Sequence, residues 1–185
     1  MTTAKSKLLT ADDLMRLSGE GVRGELIRGV LYETMPTGRQ HGKVLAKLTT
    51  RMGSFVEQRG LGSVEAGDVG VWLERDPDTV RAPDVAFFSR EKEPSEEAAA
   101  GYAEAVPDLL AEIVSPSDTP REVREKAEMW LGFGVSVVWV VNPNTRTVDV
   151  HRRGQPIITL TEQDSLDGAD VLPSLACPVG DIFNG

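Results

Sequence analysis

The sequence predicts an α/β (α+β) fold in which a mixed β-sheet is flanked by helices. The run Val135–Val141 is apolar except for Ser136, which is typical of a central strand covered on both faces. A second apolar run, Leu109–Val114, precedes it, and residues 119–132 between the two have a helical pattern. Strand, crossover helix and strand in this order favour a layered sandwich built on a mixed sheet.

The composition narrows the class of protein. With 185 residues, 40% hydrophobic and 26% charged, we expect a single soluble globular domain over residues 1–185. The net charge of −9 argues against a broad nucleic-acid-binding surface, so any such contact would need a local basic patch. Cys177 is the only cysteine, which excludes an internal disulfide. Neither a signal-peptide core nor a membrane-spanning run is apparent, and we expect a cytoplasmic protein without membrane contact.

The N-terminal third predicts a helix, a hairpin and a long helix. Thr10–Asp13 resembles a capping box, which favours a short helix from that point. Residues 25–33 are typical of two short strands that turn at Arg28–Gly29. Residues 38–59 have the apolar spacing of the longest helix in the chain.

The remaining segments are predicted from alternation and turn residues. Val64–Leu73 is expected to form one strand, with a bulge or a tight approach at Gly67 and Gly70. Ser89–Pro107 is expected to be a mobile flap or to contain a short helix. Val148–Arg152 and Ile157–Leu160 are predicted as further strands, and the segment after them, which contains two prolines, is expected to wrap the surface.

Two carboxylates border the apolar runs of the predicted sheet. Asp84 directly precedes Val85–Phe88, and Glu112 lies inside Leu109–Val114. An acid within a buried strand needs a partner or a metal ion, because burying its charge alone is costly. Asp and Glu on neighbouring strands, followed by a lysine, can hold a hard cation and orient a phosphate. The alternative is that both carboxylates lie at strand ends and face water.

Lys126 is unusual for its place on the predicted helix. At about 100° per residue, it falls within the apolar arc, between Trp130 and Phe133. A lysine there is seldom unpaired. We expect it to point towards Asp84 and Glu112, and the alternative is a surface ion pair with Glu122.

Three further features have a functional and a structural interpretation. Glu25, at the start of a strand, could be an outer ligand for a metal or its water, or a strand-end charge. His41 falls on the apolar face of the long helix, where a satisfied core histidine is the favoured interpretation and an approach to the site is the other. A stripe of basic residues recurs every fourth position on that helix and could track a phosphate backbone or be a solvated face. Its members are Arg39, Lys43, Lys47 and Arg51.

Five segments of the chain resemble the Uma2 (DUF820) family, a restriction-endonuclease-like branch of the PD-(D/E)XK nuclease superfamily. They are Glu25–Gly29 (ELIRG), Ala82–Asp84 (APD), Pro107–Ser117 (PDLLAEIVSPS), Lys126–Trp130 (KAEMW) and Gly134–Pro143 (GVSVVWVVNP). The resemblance covers residues 10 to 152 and implies a restriction-endonuclease-like mixed sheet flanked by helices.

Three positions of this chain differ from the usual motifs of the superfamily or of the Uma2 family. The usual superfamily motif has its lysine two residues after the glutamate, where this chain has Val114, whereas the Uma2 pattern moves it to the following helix, as at Lys126. Arg28 and Asn142 stand where the family usually has aspartate. We expect both of these substitutions to be peripheral to the metal.

The resemblance implies a metal-dependent endonuclease that hydrolyses phosphodiester bonds. Asp84, Glu112 and the main-chain carbonyl of Ile113 would hold Mg²⁺ or Mn²⁺, and Lys126 and Glu25 would complete the catalytic set. The partner would be nucleic acid, with DNA the more expected, and homodimerisation is left open. Two alternatives are a non-cleaving interaction or nucleic-acid-binding module on the same fold, which the acidic balance favours, and a small phosphoester hydrolase.

Overall fold

The computed structural model describes residues 8–93 and 101–184, which form helices packed on β-sheets. The helices are α1 (Ala11–Gly19), α2 (Arg39–Arg59), α3 (Pro120–Gly132) and α4 (Val179–Phe183), with a short 3₁₀ helix at Arg90–Lys92. The strands are β1 (Gly24–Ile27), β2 (Val30–Glu33), β3 (Gly62–Ala66), β4 (Val71–Glu74), β5 (Thr79–Arg81), β6 (Val85–Ser89), β7 (Leu109–Ile113), β8 (Val137–Asn142), β9 (Thr147–Arg152), β10 (Ile158–Leu160), β11 (Ser165–Gly168) and β12 (Leu172–Pro178).

A six-stranded mixed sheet forms the centre, in the order β10-β9-β8-β7-β6-β3. β7 and β8 are parallel and are joined by the crossover helix α3, while the other pairs are antiparallel. Every residue of β7 is buried, as is every residue of β8 except Asn142, because helices or strands cover both faces. The predicted mixed sheet flanked by helices is therefore confirmed.

Alternation along the strands divides the apolar core into two layers. Odd-numbered residues such as Leu109, Ala111 and Trp139 pack against the buried face of α2. Even-numbered residues such as Leu110 pack against α3, whose Trp130 is completely buried. This parity turns the side chain of position 112 towards α3, because side chains alternate along a strand.

A smaller sheet, in the order β2-β1-β5-β4, is formed by strands from the N-terminal half of the chain. The predicted hairpin is confirmed: β1 and β2 turn through Arg28 and Gly29, both with positive φ (48° and 76°). Positive φ at both central positions matches the twist of a two-residue hairpin. The side chains of Leu26 and Val80 in this sheet are buried against α1. The predicted capping box at the start of α1 is present, and Thr119 and Glu122 form a second one at the start of α3.

The single strand predicted over Val64–Leu73 was wrong. The chain leaves the extended conformation at Gly67 and Asp68, whose φ values are 89° and 65°. Two strands result, β3 in the six-stranded sheet and β4 in the smaller one. The glycines thus mark a passage between sheets and not a bulge within one strand. The tight approach is present at Gly70, where an added Cβ would overlap the ring of Tyr102.

The C-terminal segment also differs from the prediction of a surface wrap. β11 and β12 form a hairpin, and α4 follows. Leu166, Leu172 and Ile182 are almost fully buried in the core layer beneath α2. The two prolines of β12 are tolerated because this strand pairs only with β11 among the described residues, so its other edge needs no ladder hydrogen bonds.

Two points concern the rest of the chain. The segment 89–107 contains the short 3₁₀ helix at Arg90–Lys92 and an isolated bridge between Ala103 and Val71. Residues 94–100 lie outside the described residues, so the mobile flap expected as the alternative stays a prediction. In the part of the chain that the structure describes, no helix has the length and apolar character needed to cross a membrane.

Candidate active site

The two candidate carboxylates lie at neighbouring strand ends, on the same end of the six-stranded sheet. Asp84 occupies the bend just before β6, and Glu112 is the penultimate residue of β7. β6 and β7 are antiparallel with Val85 opposite Ala111, so the start of one strand meets the end of the other. The main-chain N–H of Ile113 donates to Asp84 Oδ2 at 2.6 Å. The sheet register itself therefore brings Asp84 to the end of β7.

The second oxygen of Asp84 faces the long helix. His41, in the first turn of α2, is only 6% exposed, and its Nε2 lies 3.2 Å from Asp84 Oδ1. His41 Nδ1 is buried and has no hydrogen-bond partner among the described residues. The favoured interpretation of a satisfied core histidine was therefore wrong in part. The ring is buried as expected, but it contacts the site, and one nitrogen is unsatisfied.

Glu112 is held by α3. The side-chain parity of β7 points it at that helix, where Lys126 Nζ donates to Oε2 at 2.8 Å. The indole Nε1 of Trp130 donates to Oε1 at 2.6 Å. Lys126 and Trp130 are four residues apart and so share one face of the helix. Glu122 instead caps the helix by accepting from Thr119 N–H, which excludes the alternative of a Glu122–Lys126 pair.

Glu25 enters the same cluster from the smaller sheet. Because Leu26 pairs with Val80, Glu25 lies next to Arg81, whose Nε is 2.7 Å from Glu25 Oε2. Glu25 Oε1 accepts from the Ala82 N–H at 2.9 Å and lies 3.6 Å from Lys126 Nζ. Sequence reasoning missed Arg81. The available signal was an arginine directly before the Ala-Pro-Asp motif, at the end of the short strand β5.

Burial and the neighbouring charges set the proton affinities at the site. Burial raises the pKa of Glu112 to about 7, with Lys126 acting against this shift and Asp84 and Glu25 adding to it. Burial also opposes charge on Lys126, but Glu112 and Glu25 outweigh it and raise the pKa of the ammonium. The hydrogen bond to Asp84 raises the pKa of His41, against the effect of burial. Glu112 is thus a carboxylate whose charge depends on nearby cations.

The carboxylate oxygens of the cluster are possible ligands for a divalent metal ion. Within residues 8–93 and 101–184, no group of three or more His, Cys, Asp or Glu side chains is arranged to hold a metal ion. Mg²⁺ does not need such a cage, because it commonly binds through one or two carboxylates and keeps several waters. Asp84 and Glu112 supply two carboxylates, and the raised pKa of Glu112 marks a buried acid that a cation would stabilise. The oxygen ligands therefore fit a hard divalent cation of this kind.

Other predicted features lie apart from the cluster. Of the basic stripe on α2, Arg39, Lys43 and Arg51 are exposed and Lys47 is partly exposed, while Arg51 also pairs with Asp181 at 2.9 Å. Arg28 lies in the hairpin turn, 3.9 Å from Glu74. The side chain of Asn142 accepts from Asn144 N–H within a turn. Arg28 thus lies in the hairpin turn, and Asn142 is the last residue of β8, where its side chain caps the turn that follows. Their expected position peripheral to the metal stays a prediction.

Comparisons with known proteins concern the fold and the family of the chain. A search of curated proteins gave no match. A crystal structure of a putative nuclease belonging to DUF820 from Anabaena variabilis, at 1.96 Å resolution, is similar in fold, with a TM-score of 0.78 and 22% sequence identity over 95% of this chain and 97% of that one. The model of the Uma2 family, described as "Putative restriction endonuclease", matches residues 11–180. The chain therefore belongs to the Uma2 family.

Proposed function

We propose that this chain is a divalent-metal-dependent nuclease that hydrolyses phosphodiester bonds at the Asp84–Glu112–Lys126 cluster. One observation is the main support for the proposal. The ammonium of Lys126, which projects from α3, lies 2.8 Å from Glu112 Oε2, at the same end of the sheet as Asp84. A partly buried lysine and two carboxylates at one end of the sheet suit phosphoryl chemistry better than a purely structural role.

Asp84 and Glu112 would hold Mg²⁺ or Mn²⁺, with the main-chain carbonyl of Ile113 as a further ligand. When bound, the ion supplies charge neutralisation at the scissile phosphate and lowers the pKa of an attacking water. Waters and substrate oxygens would complete the ligand sphere, which is the usual mode for Mg²⁺. Mg²⁺ and Mn²⁺ are chosen because both prefer carboxylate, carbonyl and water oxygens.

Lys126 would stabilise negative charge on the phosphate and orient the water. Its raised pKa keeps the ammonium charged at neutral pH, and its side chain is partly exposed at 27%. Loss of such a preorganised charge typically costs catalysis about 10²-fold or more. Glu25, bridging Arg81 and Lys126, would hold that ammonium in place and could orient a water bound to the metal.

His41 and the Ile113 amide would position Asp84. Each contacts one oxygen of the carboxylate, at 3.2 Å and 2.6 Å, which restricts its rotation. Groups that orient a metal ligand in this way commonly contribute about 10- to 100-fold in metal affinity or activity. We regard His41 as a positioning residue because its contact is with Asp84.

The substrate we propose is nucleic acid, with DNA as the first form to test and a homodimer as the assembly to examine by light scattering. A second candidate is a module that binds without cleaving, which the net charge of −9 favours. Complete retention of Asp84, Glu112 and Lys126 favours the enzyme. A small phosphoester hydrolase would use the same cluster without a basic groove.

Calorimetry with Mg²⁺ or Mn²⁺ tests the metal site independently of the substrate. We expect the wild type to bind the ion and Asp84→Asn to lose binding, because the change keeps the shape and removes a charged ligand. Asp149→Asn, on β9, is a matched control that should bind like the wild type. Equal binding by wild type and Asp84→Asn would overturn the proposed site. Cleavage of single- and double-stranded DNA and RNA, with and without EDTA, then separates the nuclease from the binding module.

A further inference from the structure

Exposed apolar side chains are concentrated around the β1–β2 hairpin. Among the described residues, the exposed large hydrophobic side chains fall in two parts of the chain. Those of the first part are Leu8, Met15, Val30, Tyr32 and Met35, and those of the second are Ile157 and Ile158. Scattered exposed hydrophobic residues need no explanation, but a cluster of them marks an interaction surface. The β1–β2 hairpin is therefore a candidate contact surface.

Strand register joins this surface to the candidate active site. Tyr32 stands directly opposite Glu25 in the antiparallel pair, and Val30 stands opposite Ile27. Directly opposed residues share one face of a sheet, with Cβ atoms about 4.5–5.5 Å apart. Leu26 and Leu31 occupy the other face, which packs against α1. Tyr32, which is 54% exposed, is therefore the immediate outward neighbour of Glu25.

The cations nearest the cluster are already paired, which limits how the site could hold a charged polymer. Arg81 lies 2.7 Å from Glu25, and Lys126 lies 2.8 Å from Glu112. At the two ends of β1, in contrast, Arg23 and Arg28 have side chains that are 77% and 75% exposed, and their carboxylate contacts are long at 3.9 Å. An open tyrosine ring between two available arginines suits a ligand with planar bases and flanking phosphates.

We propose that Tyr32 is a stacking platform for an unpaired nucleobase, so that the substrate class is single-stranded nucleic acid or a strand with an unpaired segment. This inference rests on the proposed nuclease function and specifies its substrate. Base–aromatic stacking tolerates any sequence, and on a chain of net charge −9 the exposed Arg23 and Arg28 would supply the local positive charge for the flanking phosphates. Bases within an intact duplex are stacked on one another and cannot offer a face to Tyr32.

The other occupant to consider is a second copy of this chain. β2 pairs only with β1 among the described residues, so its outer edge could add a strand from a partner. That contact would bury Tyr32 against protein and leave no platform for a base. If this contact forms, Tyr32→Ala should convert a dimer to a monomer.

The experiment compares Tyr32→Ala with Tyr32→Trp, which keeps an aromatic face, and with Ile158→Ala as the control. Ile158 is similarly exposed, at 51%, but lies on β10, at the end of the six-stranded sheet farthest from β3. The probes are a single-stranded oligonucleotide carrying 2-aminopurine and its duplex, both measured with EDTA present so that neither is cleaved. Binding is followed by anisotropy, stacking by quenching of 2-aminopurine fluorescence, and mass by light scattering.

We expect the wild type to bind the single strand more tightly than the duplex and to quench the probe. Tyr32→Ala should weaken single-strand binding by about tenfold or more and abolish quenching, while Tyr32→Trp and Ile158→Ala retain both. Unchanged single-strand binding in Tyr32→Ala, or no binding by the wild type, would overturn the proposal. So would a Tyr32→Ala change from dimer to monomer. Because these measurements need no metal, their failure is distinct from failure of the metal site, which calorimetry reads separately.

Discussion

The two carboxylates of the site are both fully engaged, but by different kinds of donor. Asp84 contacts His41 Nε2 and the main-chain N–H of Ile113. Glu112 contacts the Lys126 ammonium and the Trp130 indole. Asp84 is also the more exposed of the two, at 20% against 11% for the side chain of Glu112.

This difference separates orientation from charge. The contacts of Asp84 fix how its oxygens point, and an imidazole and an amide do so without requiring a permanent cation. Glu112 is buried deeply enough to raise its pKa to about 7, so its negative charge depends on Lys126 and on any bound cation. Changes at the partners of Asp84 should therefore alter geometry, whereas changes at the partners of Glu112 should alter charge.

The largest expected effect is the loss of cleavage when either carboxylate is neutralised. Asp84→Asn and Glu112→Gln each keep the side-chain shape and remove a metal ligand, so metal-dependent cleavage should disappear. Both folds should survive, with a gain in stability without metal because two nearby acids repel. Gel assays of cleavage and thermal melts measure this. Wild-type cleavage by either variant in EDTA would rule out the metal mechanism.

Lys126→Met should reduce kcat by about 10²-fold with KM nearly unchanged. The ammonium acts on charge that develops in the transition state, so its loss affects the rate more than binding. The apolar stem of methionine keeps the packing of α3. Lys43→Met, at an exposed position on α2, is the matched control and should leave kcat unaltered. Steady-state kinetics decides the matter, and a Lys126→Met protein with the wild-type rate would remove the lysine from the mechanism.

The pH dependence of metal affinity should report Glu112. Below its pKa of about 7 the carboxyl is protonated, so affinity for Mg²⁺ should rise about tenfold per pH unit from pH 5 and level off above 7. Without metal, the raised pKa means that the stability contributed by protonated Glu112 is complete below its ordinary value of 4.5 and is lost as the pH rises through about 7. Calorimetry and melting curves against pH test both effects. A flat affinity profile would contradict the first, and a Glu112→Gln protein with the wild-type profile would contradict both.

Changing His41 should affect orientation without removing a ligand. His41→Leu should weaken metal binding by about tenfold, because Asp84 loses one of its two contacts. His41→Gln, which can place an amide donor near the position of Nε2, should restore much of the loss. His151 is equally buried, at 6%, and lies on β9, so His151→Leu is the control for a lost buried histidine. Equal metal affinity in His41→Leu and the wild type would make the histidine purely structural.

The smallest effect concerns the basic stripe on α2. If Lys43 and Lys47 contact a phosphate backbone, changing both to Glu should weaken binding of an oligonucleotide and flatten its salt dependence by about one unit of slope per lost contact. Arg51 is a poorer choice, since Asp181 already pairs with it. Arg121→Glu with Arg124→Glu, on the exposed face of α3, is the matched control. A salt slope unchanged from the wild type would leave the stripe as a solvated face.

Local patterns predicted the elements that hold Glu112 and Lys126. An acid inside an apolar run and a lysine on the apolar face of a helix each need a partner, and here they are each other's partner. The partner of His41 could not be predicted, because it depends on how α2 crosses the start of β6. Arg81 was missed for a similar reason, since its pairing with Glu25 depends on strand order within the smaller sheet. The C-terminal hairpin was misjudged because its prolines indicated a loop, although a strand paired on one edge accepts them.

The hydrogen bond from Ile113 N–H to Asp84 provides a natural spectroscopic reporter. This amide donates to a side-chain carboxylate and not to a neighbouring carbonyl, so its proton resonance should respond directly to the state of Asp84. When a cation draws on the same carboxylate, the Ile113 signal should shift while its neighbours within β7 stay in place. Its hydrogen-exchange rate would likewise follow opening of this one contact. Occupancy of the site could thus be monitored in solution without a substrate and without an attached chemical probe.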